Sequence, residues 1–194
     1  MRAGTAGDAI GKILDSLKPE AVYSENSASG GCSGGNVRGM IPDRVVEVLH
    51  GPAFMQVGTR DEGLRPAHTF AVGAVVHEDR QTVTVFVPTA RSGRVLRDLA
   101  ENGRIALGVS LVSHEAYQLK GTYVSSRPTD DAERARQEAY RVALLASALE
   151  AGYPEAIARP MTLGLAYTPG VAITFRAEEV FLQTPGPGAG TLLA

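Results

Sequence analysis

The chain lacks tryptophan, has a single cysteine and contains no long hydrophobic run in its 194 residues. Because Cys32 is alone, an intramolecular disulfide and a metal site made of cysteines from one chain are both excluded, and a reducing cytoplasm fits best. No stretch approaches the roughly 20 apolar residues that a membrane-spanning helix needs, and residues 1–20 lack the apolar core of a secretory signal. We therefore expect a cytoplasmic protein without a membrane partner.

An excess of charge of either sign is also missing. The chain carries 19 lysines and arginines against 21 aspartates and glutamates, which gives a formal net charge of −2. Proteins that bind DNA or RNA usually present a basic patch, often with aromatic side chains between the basic ones, and no such stretch occurs here. The composition, with 44% hydrophobic residues, predicts one well-buried globular domain whose main partner is not a nucleic acid.

Three parts of the chain differ in composition. Residues 1–40 combine a helical apolar pattern at 8–18 with a Gly/Ser-rich segment at 24–39 that is typical of a flexible linker. We expect the folded domain at 41–183. The Pro/Gly-rich residues 184–194 cannot form regular structure, so we expect a tail or a strap that lies across a partner subunit.

The folded part is dominated by segments rich in Val, Thr, Ile, Phe and Tyr, which predict six strands. A turn at 78–80 joins two of them as a hairpin. A closed or nearly closed antiparallel barrel would leave no exposed strand edges, so we predict a mainly β (α+β) fold with flanking helices. The predicted strands are 53–59, 67–77, 81–87, 104–111, 116–125 and 170–183, and the predicted helices are 42–49, 93–101 and about 130–150.

The turn after the third predicted strand collects hydroxyl and guanidinium groups at the start of a helix. The first N–H groups of a helix lack backbone partners and the helix dipole adds positive potential, so an anion is favoured there. The pattern predicts a phosphate-binding turn made of Thr89, Arg91, Ser92 and Arg94. In the alternative interpretation Ser92 is simply the N-cap of the following helix and the arginines are solvated. The residues of the turn leave both interpretations open.

The order of elements around this turn resembles a known family. In the pyridoxamine 5′-phosphate oxidase-like family of FMN-binding split β-barrels, a strand, a Thr/Ser/basic turn, a helix with a Leu and an Asn, and two further strands follow one another. Residues 55–59 and 64–68 resemble the opening hairpin of that family, and the likeness covers about 42–183. It implies a six-stranded antiparallel split β-barrel. The matching residues downstream of the hairpin are Thr89, Ser92, Arg94, Leu99, Asn102, 105–107, Gln118 and Gly121.

This resemblance implies a homodimer with FMN bound at two sites in the subunit interface, and an oxidoreductase that acts on a small-molecule substrate. Ser92 and Arg94 would hold the FMN phosphate beside Thr89 and Arg91. The second strand, at 68–72, would pass along the isoalloxazine ring. The cofactor-binding residues that the resemblance implies are therefore Thr89, Arg91, Ser92, Arg94, His68, Thr69 and Gln118.

Two departures argue against a true pyridoxamine phosphate oxidase. Such enzymes carry an arginine where this chain has Thr69, and they end in a segment with arginine and tryptophan, whereas this chain has no Trp. An FMN-dependent oxidoreductase with another substrate therefore stands beside two alternatives. One is a haem- or deazaflavin-binding protein without flavin turnover, with His68, His77 or His114 as a ligand to haem iron. The other is a dimer whose ligand site has been lost.

Overall fold

A computed structural model describes residues 40–163, 165 and 169–194, so the predicted helix at 8–18, the linker at 24–39 and Cys32 lie outside the described residues. None of the described helices is long and apolar enough to cross a membrane. The elements in chain order are α1 (Asp43–His50), β1 (Phe54–Arg60), β2 (Pro66–Ala71), β3 (Ala74–Val76), β4 (Thr82–Pro88), α2 (Thr89–Asn102), β5 (Arg104–Ser110), β6 (Ala116–Pro128), α3 (Asp131–Glu150), α4 (Glu155–Leu163) and β7 (Gly170–Leu182).

The strands form one antiparallel sheet in the order β2-β1-β5-β6-β7-β4-β3. The predicted mainly β class with flanking helices is confirmed. The sheet is open and has seven strands rather than six, because the predicted strand 67–77 divides at Val72 and Gly73, where φ of Gly73 is 108°. The edge strands β2 and β3 are thus consecutive in the chain. At the bend, Val72 N donates to Phe86 O at 2.8 Å and Phe86 N donates to Gly73 O at 3.1 Å.

The hairpin predicted at 78–80 is confirmed as the β3–β4 connection, in which Arg80 N donates to His77 O at 2.9 Å. The Asp79 carboxylate accepts hydrogen bonds from the hydroxyl and the amide of Thr82 and from the amide of Gln81. These bonds lower the pKa of Asp79 to about 2. The turn is therefore closed by an ionised side chain as well as by backbone.

The core lies on the inner face of the curved sheet. β1 and β5 alternate between buried and accessible residues, as strands with one solvated face do. β4 differs, since residues 83–87 are all buried. α3 lies near this strand, since Glu133 and Arg136 share a cavity lining with Thr84 and Phe86. The helix is fixed to the residues before β1, because the Tyr140 hydroxyl donates to Ala53 O at 2.6 Å. The helices therefore cover one end of the sheet, while alternate residues of β1, β2, β5 and β6 remain accessible.

The helix after β4 begins at Thr89, earlier than the predicted 93–101. Pro88 holds the cap position, and Thr89 N donates to Pro169 O at 2.8 Å, so the chain passes directly from strand to helix. Ser92 is fully buried inside the first turn, and its hydroxyl donates to Thr89 O at 3.1 Å. The interpretation of Ser92 as the N-cap is therefore wrong.

The long helix predicted at about 130–150 is confirmed as α3, and Asp130 and Glu133 form a reciprocal capping box at its start. Apolar residues at helical spacing predict a buried stripe of Ala135, Ala139, Val142, Ala143, Ala146 and Leu149. Ala143 is buried and Ala139, Val142 and Ala146 are half-buried, but Ala135 and Leu149 are exposed, so the prediction is wrong at those two positions. Alanines occur on every side of this helix, so they mark no single face, and the buried Tyr140 decides which side meets the sheet. α4 was not predicted. The residues of α3 that are buried are Gln137, Tyr140, Ala143, Leu144 and Ala148.

Residues 184–194, expected as a tail or a strap across a partner, fold back on β7 of their own chain. Leu192 forms an isolated antiparallel bridge with Phe181, and Leu193 N donates to Val180 O at 2.7 Å. The glycines and prolines before Leu192 make the reversal, because Gly186 and Gly190 both have positive φ. The segment therefore covers a strand edge within the single chain.

Gly121 marks the closest approach between β6 and β7, at a shift in their register. A Cβ at this position would overlap the carbonyl oxygen of Arg176. The carbonyl group of Arg176 belongs to the backbone of a paired strand, so it cannot rotate away from an added Cβ. Glycine is therefore required here for the pairing of β6 with β7.

We expect Gly121→Ala to lower the free energy of unfolding by about 3 kcal/mol or more, because the added methyl group overpacks a backbone contact. Gly93→Ala is the matched control: it lies in α2 with open space around it, so alanine should stabilise the chain by roughly 0.5–1 kcal/mol. Urea denaturation followed by circular dichroism measures both. Equal stability of the two variants would contradict the assigned role of Gly121.

Candidate functional site

The accessible face of the sheet carries a cavity of about 510 Å³. Residues of β1, β2, β5, β6 and β7 contribute to its lining, so the cavity spans most of the width of the sheet. His68 of β2 lies at one side and Lys120 of β6 lies further across the sheet. A concave surface with several polar groups around a mostly apolar floor is the usual form of a small-molecule site.

The floor of this face is made of very small residues. Gly58 of β1 pairs with His68 of β2 on one side and with Ala106 of β5 on the other. Two residues along β5, Gly108 occupies the same face and pairs with Gln118 of β6. Because no bulky side chain rises from these positions, the sheet backbone itself is exposed to a ligand. Such a surface fits the face of a flat ring system.

Charged groups surround this floor. Arg104 Nη1 lies 3.3 Å from Glu178 Oε2, and the Thr122 hydroxyl donates to the other oxygen of Glu178 at 2.7 Å. Lys120 Nζ lies 4.5 Å from the centroid of the Phe181 ring, which is close enough for a cation–π interaction. Arg104 is therefore matched by a carboxylate, whereas Lys120 faces the solvated side of the sheet.

Asn102, at the end of α2, holds two of the lining residues in place. Its Nδ2 donates to Arg60 O at 2.7 Å, and its Oδ1 accepts from Arg104 N at 3.0 Å. One side chain thus ties the end of β1 to the start of β5. The position of the cavity rim therefore depends on where α2 ends.

A buried polar pair lies beneath the same part of the cavity. Thr59 lines the cavity and is 8% exposed, and its hydroxyl donates to Asp98 Oδ2 at 2.7 Å. Asp98 belongs to α2 and is 2% exposed. A buried carboxylate requires hydrogen-bond donors, so this contact joins α2 to β1.

The predicted phosphate-binding turn lies at the other end of α2. Thr89, Arg91 and Arg94 are exposed, whereas the hydroxyl of Ser92 is turned into the helix. Arg94 Nη2 lies 3.4 Å from the carbonyl oxygen of Arg65 and 3.6 Å from Asp61 Oδ2, both in the β1–β2 connection. Since Pro66, the next residue, lines the cavity, Arg94 connects the turn to the cavity edge.

The other predicted site residues are distributed over both faces of the sheet. His68 is exposed and lines the cavity, but Thr69 is 3% exposed on the core side. Gln118 lies on the accessible face of β6, with β1 and β5 between it and β2. Within one chain, the structure therefore brings the turn and His68 to one side of the cavity, places Gln118 across the sheet, and leaves Thr69 in the core.

Besides His68, the charged residues of the lining were all missed from the sequence: Arg60, Arg104, Lys120, Glu178 and Glu179. Lys120 could have been predicted, because residues two apart on a strand share a face and Gln118 is one of the cofactor-binding residues that the resemblance implies. Arg104 and Glu178 offered no such signal, since they meet only through the pairing of β5, β6 and β7. Lone charged residues in a sequence are indistinguishable from ordinary solvated ones.

No protein-family model matches the chain, and no curated protein sequence matches it. Among solved structures, HupZ from Group A Streptococcus is 17% identical, with a TM-score of 0.47, and the match covers 78% of this chain and 99% of that one. A structure named F420 reductase is 15% identical, with a TM-score of 0.46 and coverage of 72% and 98%. A pyridoxamine 5′-phosphate oxidase-related, FMN-binding protein from Nostoc punctiforme is 17% identical, with a TM-score of 0.36 and coverage of 75% and 79%.

The family that the sequence motifs resemble is thus represented among these structures. At these identities and TM-scores, none of the structures bears on what this chain does.

We expect Thr59→Val to lower the free energy of unfolding by about 1.5–3 kcal/mol, because it removes a hydrogen bond to a buried carboxylate. Thr122→Val is the matched control. Its hydroxyl also donates to a carboxylate, Glu178, but in an exposed pair, so a change of about 0.5 kcal/mol or less is expected. Urea denaturation measures both, and equal losses would show that the Thr59–Asp98 contact contributes nothing beyond a surface one.

Proposed function

We propose that the protein is an FMN-binding flavoprotein, an oxidoreductase that acts on a small molecule, with the flavin at the interface of a homodimer. The observation that carries this proposal is the juxtaposition of a floor of small residues, Gly58 and Ala106, in the cavity lining with Arg94 of α2, which reaches the β1–β2 connection at the cavity edge. A ring can lie on such a floor while a phosphate meets the helix start. FMN has both parts. The proposal also keeps the cytoplasmic location expected from composition.

The phosphate end of the site rests on α2. Arg94 and Arg91 are exposed beside the first turn of the helix, where unpaired N–H groups and the helix dipole favour an anion. The only carboxylate near Arg94 in the described residues is Asp61, at 3.6 Å in a solvated position. Such a pair is weak, so Arg94 can turn to a phosphate at little cost.

The ring end of the site rests on the accessible sheet face. Gly58 and Ala106 leave the backbone open, and the exposed imidazole of His68 stands beside them in the cavity lining. When bound, FMN supplies the hydride and electron transfer. In this proposal the chain orients the ring and His68 exchanges a proton with the substrate through its imidazole nitrogen. Pyridoxamine phosphate is not the substrate we propose, because Thr69 stands in place of an arginine.

A homodimer would complete this site. In the single chain the cavity is open to solvent on the sheet face, and Phe70, 39% exposed, stands on that same face. A second copy placed there would cover the apolar ring of Phe70 and the far side of the flavin. The partner's side of the interface would then bring a residue such as Gln118 to the cofactor.

A second candidate is a haem- or deazaflavin-binding protein on the same fold, without flavin turnover. The observation in its favour is His68, which lines the large cavity while the two other candidate ligands do not. His77 Nε2 lies 2.9 Å from the Thr84 hydroxyl, and His114 occupies an exposed turn with a φ of 69°. A deazaflavin would use the same phosphate turn as FMN.

We expect saturable FMN binding at low ionic strength, and at least tenfold weaker binding by Arg94→Ala, because that guanidinium pairs with the phosphate. Arg97→Ala is the matched control: it removes the same charge from the same helix at an exposed position outside the turn. Absorbance and flavin fluorescence titrations measure both.

Riboflavin separates the phosphate contact from the ring contact in this experiment. Because riboflavin lacks the phosphate, Arg94→Ala should leave its affinity within about twofold. Light scattering on the FMN-loaded protein should give the mass of two chains. FMN affinity that is the same in Arg94→Ala and in the unaltered protein would overturn the assignment of the turn, and a colourless protein that ignores FMN would overturn the flavoprotein proposal.

If the second candidate is right, added haem should give a Soret band that disappears in His68→Ala. His114→Ala, which removes an exposed histidine from a turn outside the cavity, should keep the band. Ligation of iron by a single imidazole explains this difference. A band that survives in His68→Ala would rule out that residue as the axial ligand.

A further inference from the structure

A second cavity, of about 170 Å³, lies between the β3–β4 hairpin and the first turns of α3. His77 and Thr84 line it from the hairpin side, and Arg127 of β6 and Arg136 of α3 line it from the other side. It shares no lining residue with the larger cavity. We propose that this cavity binds a small oxyanion, such as a phosphate group, independently of the proposed flavin site.

The single carboxylate in the cavity lining is already neutralised. Both oxygens of Glu133 accept hydrogen bonds from Arg127, at 2.7 and 2.8 Å, and one of them also accepts from Asp130 N at 2.9 Å. Asp130 adds a further negative charge near Arg127. Glu133 is therefore paired with Arg127 and hydrogen-bonded to the start of α3, so both of its oxygens are occupied.

Arg136 is left without compensation in the same cavity. No carboxylate of the described residues forms an ion pair with it, although its neighbours Arg127 and Arg141 both have such partners. Its positive potential acts on nearby groups: burial first, and then the charge of Arg136, lower the pKa of His50. His50 therefore stays neutral, with Nε2 accepting from Val76 N at 3.0 Å, and does not add to the charge. Arg136 is the group that an anion would pair with.

Hydroxyl groups beneath the cavity form a hydrogen-bonded chain that ends at His77. Thr174 Oγ1 lies 2.9 Å from Thr84 Oγ1, which in turn lies 2.9 Å from His77 Nε2. Thr84 is 5% exposed, so its hydroxyl is held by these two partners. His77 is exposed at the rim. When the Thr84 hydroxyl donates to Nε2, the hydrogen of the neutral ring is on Nδ1, which is then a donor for a ligand. The Arg136 guanidinium and this imidazole N–H are the groups that an oxyanion would meet.

The test uses inorganic phosphate and the full chain, with ionic strength held constant by chloride. Phosphate should bind saturably and shift the backbone NMR signals of Val75, His77 and Thr84. Arg136→Ala should weaken this binding at least tenfold. Arg134→Ala, which removes an arginine from the same helix outside the cavity lining, should change it by less than about twofold.

A third variant distinguishes this site from the proposed flavin site. Arg94→Ala should leave the phosphate-dependent shifts at Thr84 intact, whatever it does to FMN. Shifts that vanish in Arg94→Ala but survive in Arg136→Ala would overturn the proposal, because phosphate would then be bound at α2. Equal weakening by Arg136→Ala and Arg134→Ala would overturn it as well, since only overall charge would be acting.

Discussion

The bend between β2 and β3 sets the geometry of the sheet and of the core that it encloses. Val72 and Gly73 leave the extended conformation, so the chain pairs with β1 before the bend and with β4 after it. The two backbone hydrogen bonds to Phe86 hold the bend against β4. Since β1 and β4 are otherwise separated by three strands in the sheet order, this one turn brings the two ends of the sheet together and gives the core its enclosed shape.

α2 connects the core to the accessible face of the sheet. The helix follows β4 directly, packs Val95 and Leu99 into the core, and is tied to β1 by the buried contact of Asp98 with Thr59. Asn102 then sets the rim of the large cavity. A single helix thus joins the basic turn at its start to the cavity near its end.

The arginines differ in whether a carboxylate lies close enough to form an ion pair, and this difference distinguishes structural arginines from candidate binding arginines. Most arginines of the described chain lie in surface ion pairs with nearby carboxylates, and such pairs contribute little to stability. Arg94 has one loose partner and Arg136 has none that forms an ion pair. Both side chains are exposed, so an anionic ligand in the adjacent cavity can pair with either guanidinium without displacing a strong ion pair.

Strand positions, helix starts and turns that rest on contacts between near neighbours in the chain could be predicted from the sequence. Alternation with a period of two located the strands to within a few residues, the long helix was predicted to begin at about residue 130, and the hairpin turn was predicted at 78–80, because each of these features rests on contacts a few residues apart. Three features were not predicted: the division of the strand at Gly73, the buried side of α3 and the start of α2. Each depends on how the whole core packs.

Contacts between residues far apart in the chain could not be predicted, because they follow from the order of the strands in the sheet. β5 lies between β1 and β6 although three other strands separate it from β1 in the chain, and this order alone places Gly58 beside Ala106. The same holds for Arg94 with the β1–β2 connection, and for Arg136 with the β3–β4 hairpin. Local patterns record periodicity and capping, but strand order is set by burying the apolar faces of the whole sheet at once, a property of the complete chain that no single segment carries.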